Sequence, residues 1–436
     1  MLKFIESFDH LQCTSLDDID LYQALGYTDI NGGGMGMLWM GWGYSRFRVN
    51  PGTGQRGTPA LEIAAGGGFV LPYIQRDCER LVFGIAIGPP LDFVGNDAYV
   101  GWNSRSPYGP GFAASFRYDA DTNFRIECRF NTRSSMIVTM CTGANGAGYP
   151  DIVTSEYIPV PNAFDDYTFV ELSVDVTDYT NGTAKVAVNG LTYIEKTGIF
   201  TAAYNLFGDD PNDPRSKLNN VAVSVSGMSV PGVAYEAGSY YIDSMYICDD
   251  AGGYQDDFLG PVFAKSLFPV ADGAKHNWTP YENSIVLEDG ENSACVDDNP
   301  LVAGNEVTYV EADQDMADDL LIYDAADYPD ECTLIAVNHR TAFRNVASQG
   351  NPPPNTMVPI YQIVGNPVIV TNSLAKKVTG WAYSFLDIYY DLVPAFAIPW
   401  TRLLLEQSEF GYMLREAIWT AVQIDDVGFA DEVIDE

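Results

Sequence analysis

The stretch from Val170 to Thr197 constrains the fold most strongly, because apolar and polar residues alternate along it with the period of a β-strand. Val170 and Leu172 lie on one parity, and Glu171 and Ser173 lie on the other. This alternation, rich in valine, predicts a strand with one buried face and one solvated face.

The second half of this stretch contains a hairpin signal. Alternation resumes at Ala184, and Asn189-Gly190 then matches a type I′ turn, in which both central residues have positive φ. Leu191 and Tyr193 begin the return strand. The stretch therefore predicts a three-stranded antiparallel meander with one apolar face, which a second sheet must cover.

Length and charge limit the architectures and partners that fit this chain. A chain of 436 residues is long enough for two or three domains with a large core. It carries 59 acidic and 23 basic residues, which gives a net charge of −36. Because such an acidic surface repels phosphate, we expect no nucleic-acid partner.

The cysteines, histidines and apolar runs of the sequence indicate the cellular compartment and the metal or catalytic sites that the chain could form. The seven cysteines lie far apart without a CxxC pair, which disfavours zinc and fits assembly in a reducing cytoplasm. The three histidines form no motif, and His339 is expected to be structural. The opening MLKFIESFDHL does not resemble a signal peptide, and no apolar run reaches the ~18 residues of a membrane span.

Short strands separated by turn residues recur along the first part of the chain, as is typical of a sandwich or jelly roll. The sequence therefore predicts an all-β fold, with an antiparallel jelly-roll sandwich over residues 1–250 and a second β-rich domain over 316–436. Residues 251–315, rich in Asp, Gly and Pro, are predicted to form an extended connector. Residues 408–423 are predicted as strand, and the acidic tail after them as frayed or held by a neighbour.

An ordered set of segments resembles one family along nearly the whole chain. FIESFDHL, then VELSVDVTDYTNGTAKVAVNGLTYIEKTGIFT, then YYIDSMYICDD resemble a concanavalin-A-like or laminin-G-like jelly roll of the kind found in virion proteins of tailed bacteriophages. DDFLGPVFAKSLFPVADGAKHNWTP, IAVNHRTAFRNV and IPWTRLLLEQSEFGYMLR resemble the segments that follow it in those proteins. Residues 29–58 and the segment VEADQDMADD match nothing in that family. The resemblance implies a structural protein of the phage particle.

The sequence contains no arrangement that predicts a catalytic centre. A retaining glycosidase needs two carboxylates about 5–5.5 Å apart, which is roughly i and i+2 on one strand. Glu127 is flanked at that spacing by Arg125 and Arg129, and Glu171 by Ser173. We therefore predict no catalytic residues, no cofactor and no enzymatic activity.

Calcium is the metal that the sequence best accommodates. Asp119, Asp121 and Asn123 place oxygen side chains at i, i+2 and i+4, like the front of a calcium loop. Phe124 and Phe130, however, stand where the turn glycine and the bidentate glutamate of such a loop should be. The alternative is a hairpin turn rich in Asp and Asn.

Together these observations predict a structural, non-enzymatic protein of a tailed-bacteriophage virion, assembled in the bacterial host cytoplasm and associated with the tail. We expect it to bind its own copies, as a homo-oligomer such as a trimer, and other virion proteins through β-sandwich surfaces. Trp39, Trp42, Phe385, Tyr389 and Tyr390 are the candidate contact residues. Two alternatives stay open: a capsid decoration or cement protein, and a tail adhesin that binds a host surface glycan.

Overall fold

A computed structural model of the chain shows two compact units, which are described separately. The first unit comprises Met1–Phe8 and Cys13–Phe263, and the second comprises Asp9–Gln12 and Ala264–Glu436. The structure describes residues 1–6, 47–50, 52–63, 68–71, 74, 77–88, 111–118, 121–132, 135–142, 152–160, 167–177, 181–201, 217–226, 240–251, 254–288, 290–296, 308–312, 316–325, 332–346, 355–371, 375–378, 384–415 and 421–434.

The described part of the first unit consists of two antiparallel sheets. One has eight strands in the order β12-β11-β10-β5-β14-β3-β2, with β1 beside β14, and the other has six in the order β4-β13-β6-β7-β8-β9. These strands are β1 (Leu2–Glu6), β2 (Phe47–Asn50), β3 (Ala60–Ile63), β4 (Gly68–Val70), β5 (Arg80–Ile87), β6 (Gly111–Tyr118), β7 (Asp121–Thr132), β8 (Ser135–Thr142), β9 (Ile152–Pro159), β10 (Thr168–Asp175), β11 (Gly182–Val188), β12 (Leu191–Ile199), β13 (Asn220–Ser226) and β14 (Tyr240–Asp249).

The predicted meander is confirmed. β10 pairs with β11 and β11 with β12, both antiparallel. Asn189 and Gly190 have φ of 48° and 77°, as the type I′ turn requires. The Asn189 side chain also accepts a hydrogen bond from the Phe169 backbone N–H at 2.8 Å, which ties the turn to β10.

The prediction of a solvated face on β10 is wrong. Glu171 and Ser173 are buried, as are the valines of the opposite parity. The cover over Glu171 comes from Tyr246 of β14 and from the backbone at Leu259 and Gly260, all distant in sequence. The alternation of residues along one strand assigns side chains to its two faces. It does not predict whether a distant segment covers the polar face.

The core of the first unit fills the space between the apolar faces of its two sheets. From the eight-stranded sheet, Phe83 and Leu172 lie opposite each other in register and are fully buried. From the six-stranded sheet, Phe116 and Phe124 form a second buried pair. The prediction of an all-β, antiparallel, concanavalin-like sandwich is therefore confirmed.

The second unit also consists of two antiparallel sheets in its described part. One has the order β18-β17-β19-β27-β21-β25 with β15 beside β27, and the other has β16-β20-β26-β22-β23 with β24 beside β22. The elements are β15 (Val262–Leu267), β16 (Pro269–His276), β17 (Thr279–Glu282), β18 (Ile285–Val286), β19 (Thr308–Ala312), β20 (Asp318–Tyr323), β21 (Thr333–Val346), β22 (Asn355–Ile363), β23 (Ile369–Val370), β24 (Lys376–Val378), β25 (Ser384–Tyr390), the short helix α1 (Arg402–Glu406), β26 (Ser408–Arg415) and β27 (Ala421–Ile434).

Two expectations about this half of the chain differ from the structure. Segment 251–315, expected as an extended connector, supplies strands β15 to β19. The acidic tail, expected to fray or to need a neighbour, forms β27 and pairs with β21 from Thr333↔Ile434 to Val346↔Ala421. β17 and β18 pair as a local hairpin, but β16 pairs with β20, β19 with β27 and β27 with β21, and local composition does not reveal these distant partners. The described residues contain no helix with the length and hydropathy that crossing a membrane would require.

Candidate ligand-binding face of the first unit

β7 runs through the interior of the six-stranded sheet, and its alternation separates apolar from charged side chains. Phe124 and Ile126 point into the core and are fully buried. Arg125, Glu127 and Arg129 have the opposite parity and therefore line the other face of the sheet. Their side chains are only 15–27% exposed, so this charged row is recessed.

The carboxylate of Glu127 lies between two guanidinium groups. Arg129 Nη2 donates to Glu127 Oε1 at 2.6 Å, and Arg125 Nη2 lies 4.0 Å from the same oxygen. The three side chains together carry a net charge of about +1. A guanidinium has five N–H donors, so it can hold a structural carboxylate and a ligand oxygen at the same time.

Small side chains lie next to this charged row. In the register of the sheet, Gly111, Ala113 and Ser115 of β6 stand opposite Arg129, Glu127 and Arg125, respectively. Ala222 and Ser224 of β13 extend the row of small side chains on the far side of β6. Ala113, Ser115 and Ala222 are only 1%, 7% and 5% exposed, so the outer face of the sheet is covered on this side of the charged row.

Gly111 is required by the close approach of the two strands. A Cβ at this position would lie 2.2 Å from the carbonyl oxygen of Cys128. That distance is far inside van der Waals contact, so β6 and β7 can approach this closely only with glycine there.

The other side of the charged row carries hydroxyl, aliphatic and aromatic groups. Thr139 and Ile137 of β8 stand opposite Glu127 and Arg129. Tyr157 of β9 stands opposite Ile137 and is 67% exposed at the edge of the sheet. An exposed aromatic ring beside polar groups is a common element of sites for polar organic ligands.

Arg117 adds a further positive charge on β6. It follows Ser115 by two positions, so the period of the strand places it on the same face. We call Arg117, Arg125, Glu127 and Arg129 the arginine face. Arg117 is 7% exposed. In a chain of net charge −36, three arginines and one glutamate on one sheet face form a local reversal of sign.

The calcium candidates are only partly within the described residues. The pairing of Tyr118 with Asp121 makes 119–120 the connection of the β6–β7 hairpin, but Asp119 and the Asp121 side chain lie outside the described residues. Asn123 is buried, and its amide donates to the Lys217 carbonyl at 2.9 Å. Within the described ranges no three acidic, histidine or cysteine side chains converge to hold a metal ion.

The candidate contact residues fall into two groups. Trp39, Trp42 and the Phe385 side chain lie outside the described residues. Tyr389 is half-buried, whereas Tyr390 is 7% exposed and packs against the rings of Tyr361 and Phe410, beside Trp400. Tyr390 is thus a core residue of the second unit, which corrects its choice as a surface contact.

Glu171 forms a buried pair with Tyr246 on the face of the eight-stranded sheet away from the core. The Tyr246 hydroxyl donates to Glu171 Oε1 at 2.5 Å, and the Gly260 N–H donates to the same oxygen at 2.8 Å. Burial raises the pKa of the Glu171 carboxyl, and these hydrogen bonds oppose that rise. The pair fixes residues 259–260 against the sheet.

Asp243 organises a second buried polar group in the first unit. Its carboxylate accepts from the backbone N–H groups of Gln55 and Ser244, both at 2.7 Å, and from the Thr58 hydroxyl at 3.2 Å. Burial raises the pKa of Asp243 to about 7, against the opposing effect of these hydrogen bonds. The carboxylate joins a turn near residue 55 to the bulge in β14.

The second unit has its own buried ionisable groups. Burial raises the pKa of Asp319, which accepts hydrogen bonds from Asn292 Nδ2 at 2.8 Å and the Tyr412 hydroxyl at 3.3 Å. Burial lowers the pKa of His339 to about 3, and its ring lies 5.9 Å from that of Phe410. A histidine held neutral in a core fits the structural role expected for it.

Comparisons with known proteins define the class of fold. No protein-family model and no curated protein matches the chain. Similar solved structures include the alginate lyase Aly36B, at 13% identity and a TM-score of 0.33 over 56% of this chain and 95% of that one. An endo-β-1,4-glucuronan lyase from the fungus Trichoderma reesei is 12% identical with a TM-score of 0.29, over 57% of this chain and 95% of the lyase. A legume lectin-like domain from Entamoeba histolytica is 11% identical with a TM-score of 0.27, over 44% and 84% of the two chains.

These likenesses concern the fold alone, an antiparallel β-sandwich. They also correct one prediction. The expectation that the chain is not an enzyme is contradicted, because polysaccharide lyases stand among the proteins that share this fold. The arginine face was visible in the sequence as Arg125, Glu127 and Arg129 at i, i+2 and i+4. A criterion of paired carboxylates does not select it, because its acid is flanked by arginines.

Proposed function

We propose that the first unit binds a carbohydrate on the arginine face. The observation that carries this proposal is the recessed Arg125–Glu127–Arg129 row, with Glu127 Oε1 held 2.6 Å from Arg129. Sugars present adjacent hydroxyl groups that donate and accept hydrogen bonds. Guanidinium and carboxylate groups fixed side by side match both roles without further ordering of the side chains.

The surroundings of this row support the same reading. The β6 side of the row is buried at Ala113 and Ser115, whereas Thr139 on the β8 side is half-buried and adds a hydroxyl. Tyr157 at the sheet edge offers a ring on which a sugar can stack. On the eight-stranded sheet, by contrast, Tyr246 and residues 259–260 already cover the corresponding position.

Binding measurements with matched arginine variants test the proposal. The full chain is titrated with a panel of neutral and acidic polysaccharides, and polymer length is measured before and after incubation to detect cleavage. We expect Arg129→Gln to weaken binding of the preferred polymer roughly tenfold, the scale of one lost charge-assisted contact. Arg402→Gln is the control, since it removes an exposed arginine paired with Glu406 at 2.9 Å in the second unit. Binding unchanged by Arg129→Gln would exclude the arginine face as the site.

A tailed-phage particle is the setting we propose for this activity, and it rests on the sequence resemblance described above. One structural feature favours assembly of the chain with its own copies or other virion proteins. Leu191 and Tyr193 are exposed on β12, which ends its sheet among the described residues, and Ile285 and Val286 are exposed on β18, which ends another. Sheet edges with exposed apolar side chains are templates for pairing with another chain.

Assembly is tested by measuring mass in solution. We expect a homo-oligomer, and we expect Leu191→Lys combined with Ile285→Lys to reduce its mass. Leu403→Lys, a change at an exposed leucine of α1, is the matched control. If the wild-type chain is monomeric and the label is not found in phage particles, the phage setting is contradicted. Carbohydrate binding is then judged by its own measurements. The same labelled particles separate a tail location from capsid decoration.

A further inference from the structure

We infer that the ligand of the arginine face is an acidic polysaccharide whose carboxylate groups are bound by Arg125 and Arg129. This inference rests on the proposed carbohydrate-binding function and adds the chemical class of the ligand. It starts from charge. Three arginines and one glutamate give this face an excess of positive charge, whereas the chain as a whole is at −36. A neutral sugar would not need that reversal.

The geometry of the pair favours carboxylate. Arg–carboxylate contacts use two parallel N–H groups of one planar guanidinium. Within the protein, Glu127 Oε1 lies 2.6 Å from Arg129 Nη2 and 4.0 Å from Arg125 Nη2, so it meets one nitrogen of each arginine and not the paired N–H groups of one. Arg125 and Arg129 are 19% and 27% exposed, so a ligand carboxylate can reach guanidinium groups that an internal carboxylate already orients.

Spacing along β7 suits a polymer. Arg125 and Arg129 are four positions apart on one strand, about 13 Å between their Cα atoms at the usual rise per residue. On the β8 side of this row, Ile137 and Thr139 are half-buried and Tyr157 is exposed. Two guanidinium groups at this separation suit an extended chain that carries acidic groups at intervals better than a single small anion.

Glu127 is a positioning residue in this arrangement. Because it is only 15% exposed and one of its oxygens lies near both arginines, it fixes the positions of their guanidinium groups. Its charge also limits the net charge of the row to about +1, which suits a monovalent carboxylate better than a divalent phosphate. Glu127→Gln should keep one acceptor for Arg129 while removing the charge that fixes both arginines.

The test compares the binding of acidic polymers with the binding of their carboxyl-reduced, uncharged forms. The probes are polygalacturonate, polymannuronate, the carboxyl-reduced form of each, and dextran sulfate. We expect the full chain to bind at least one polyuronate roughly tenfold or more tightly than its reduced form. Arg129→Gln and Arg125→Gln should each abolish that difference, and Arg129→Lys should lose most of it, because lysine keeps the charge without the bidentate fork.

The possible outcomes separate this inference from the proposed function. Equal or tighter binding of the reduced polymers overturns the acidic class and leaves carbohydrate binding in place. If the chain binds dextran sulfate as tightly as polyuronate, and Arg129→Lys and Arg129→Gln weaken both by the same factor, carboxylate selectivity is overturned. Absence of binding to any polymer overturns both proposals. Arg402→Gln must behave as wild type, and melting curves identify any variant that fails to fold.

Discussion

At the scale of single residues, burial decides which ionisable groups are structural and which face a ligand. Glu127 is a half-buried acid with two cationic neighbours, whereas Asp243 is a fully buried acid whose described hydrogen-bond partners are neutral. The first arrangement resembles a binding group. Asp243 fixes a turn. It also makes the stability of the fold depend on pH, because protonation of its carboxylate removes the free-energy cost of a buried charge.

Asp243 should make the stability of the first unit fall as pH rises. Its pKa is raised in the folded chain to about 7 from an ordinary value of 3.8. The protonated carboxyl therefore stabilises the fold fully below the unfolded pKa, and this stabilisation is lost as pH rises through about 7. Urea unfolding of wild type and Asp243→Asn at several pH values measures it. We expect the difference between their midpoints to change across this window.

The control for this measurement is Glu195→Gln, which alters an exposed acid on β12 of the same sheet. It should leave the pH dependence of wild type in place. If Asp243→Asn shows the same slope with pH as wild type, the carboxyl does not take up a proton on folding.

At the scale of elements, sequence reasoning succeeded where the deciding interaction is local. The meander from β10 to β12 follows from alternation and from Asn189-Gly190, whose positive φ values are a property of two adjacent residues. It failed where the partner is distant. The cover over Glu171 comes from Tyr246 and Gly260, and β27 depends on pairing with β21.

The candidate site shows the same limit. The spacing of Arg125, Glu127 and Arg129 on one strand face could be read from the sequence. The burial of one side of this row could not, because it depends on the register that sets Ala113 and Ser115 opposite it. Nor could the sequence show that these charges lie on the outer face of an interior strand.

The packing of β5 against β14 gives a prediction at this scale. A Cβ on Gly84 would lie 2.0 Å from Cε1 of Tyr246, so the tyrosine ring occupies the space above this glycine. We expect Gly84→Ala to lower the free energy of unfolding of the first unit by about 1–3 kcal/mol, the usual cost of overpacking a core. Urea or thermal unfolding measures this change.

A double-mutant cycle distinguishes steric conflict from any general effect of alanine in β5. In a Tyr246→Leu background the ring is gone, so Gly84→Ala should cost much less than it does in wild type. Additive effects of the two substitutions would show that the ring of Tyr246 is not the obstacle. Tyr246→Leu alone should also destabilise the unit, since it leaves the buried Glu171 without its 2.5 Å hydrogen bond.

At the scale of the whole molecule, the arginine face must attract an acidic polymer from within a strongly acidic chain. The net charge of −36 repels a polyanion over distances set by the Debye length, about 30 Å at 10 mM salt and about 10 Å at 100 mM. Contact between guanidinium and carboxylate acts at hydrogen-bond distance in a recessed site and is screened much less. Salt therefore weakens the repulsion more than it weakens the contact.

This imbalance predicts an unusual dependence on salt. The association rate constant of the full chain with a polyuronate should rise several-fold between about 10 mM and about 100 mM salt, whereas oppositely charged partners normally associate more slowly as salt increases. Biolayer interferometry with immobilised polymer measures this rate, and the carboxyl-reduced polymer, which carries no charge, should show little change. A rate that falls with salt for the polyuronate would mean that the local field of Arg117, Arg125 and Arg129 dominates approach. The repulsion from the acidic remainder of the surface would then be the weaker of the two fields.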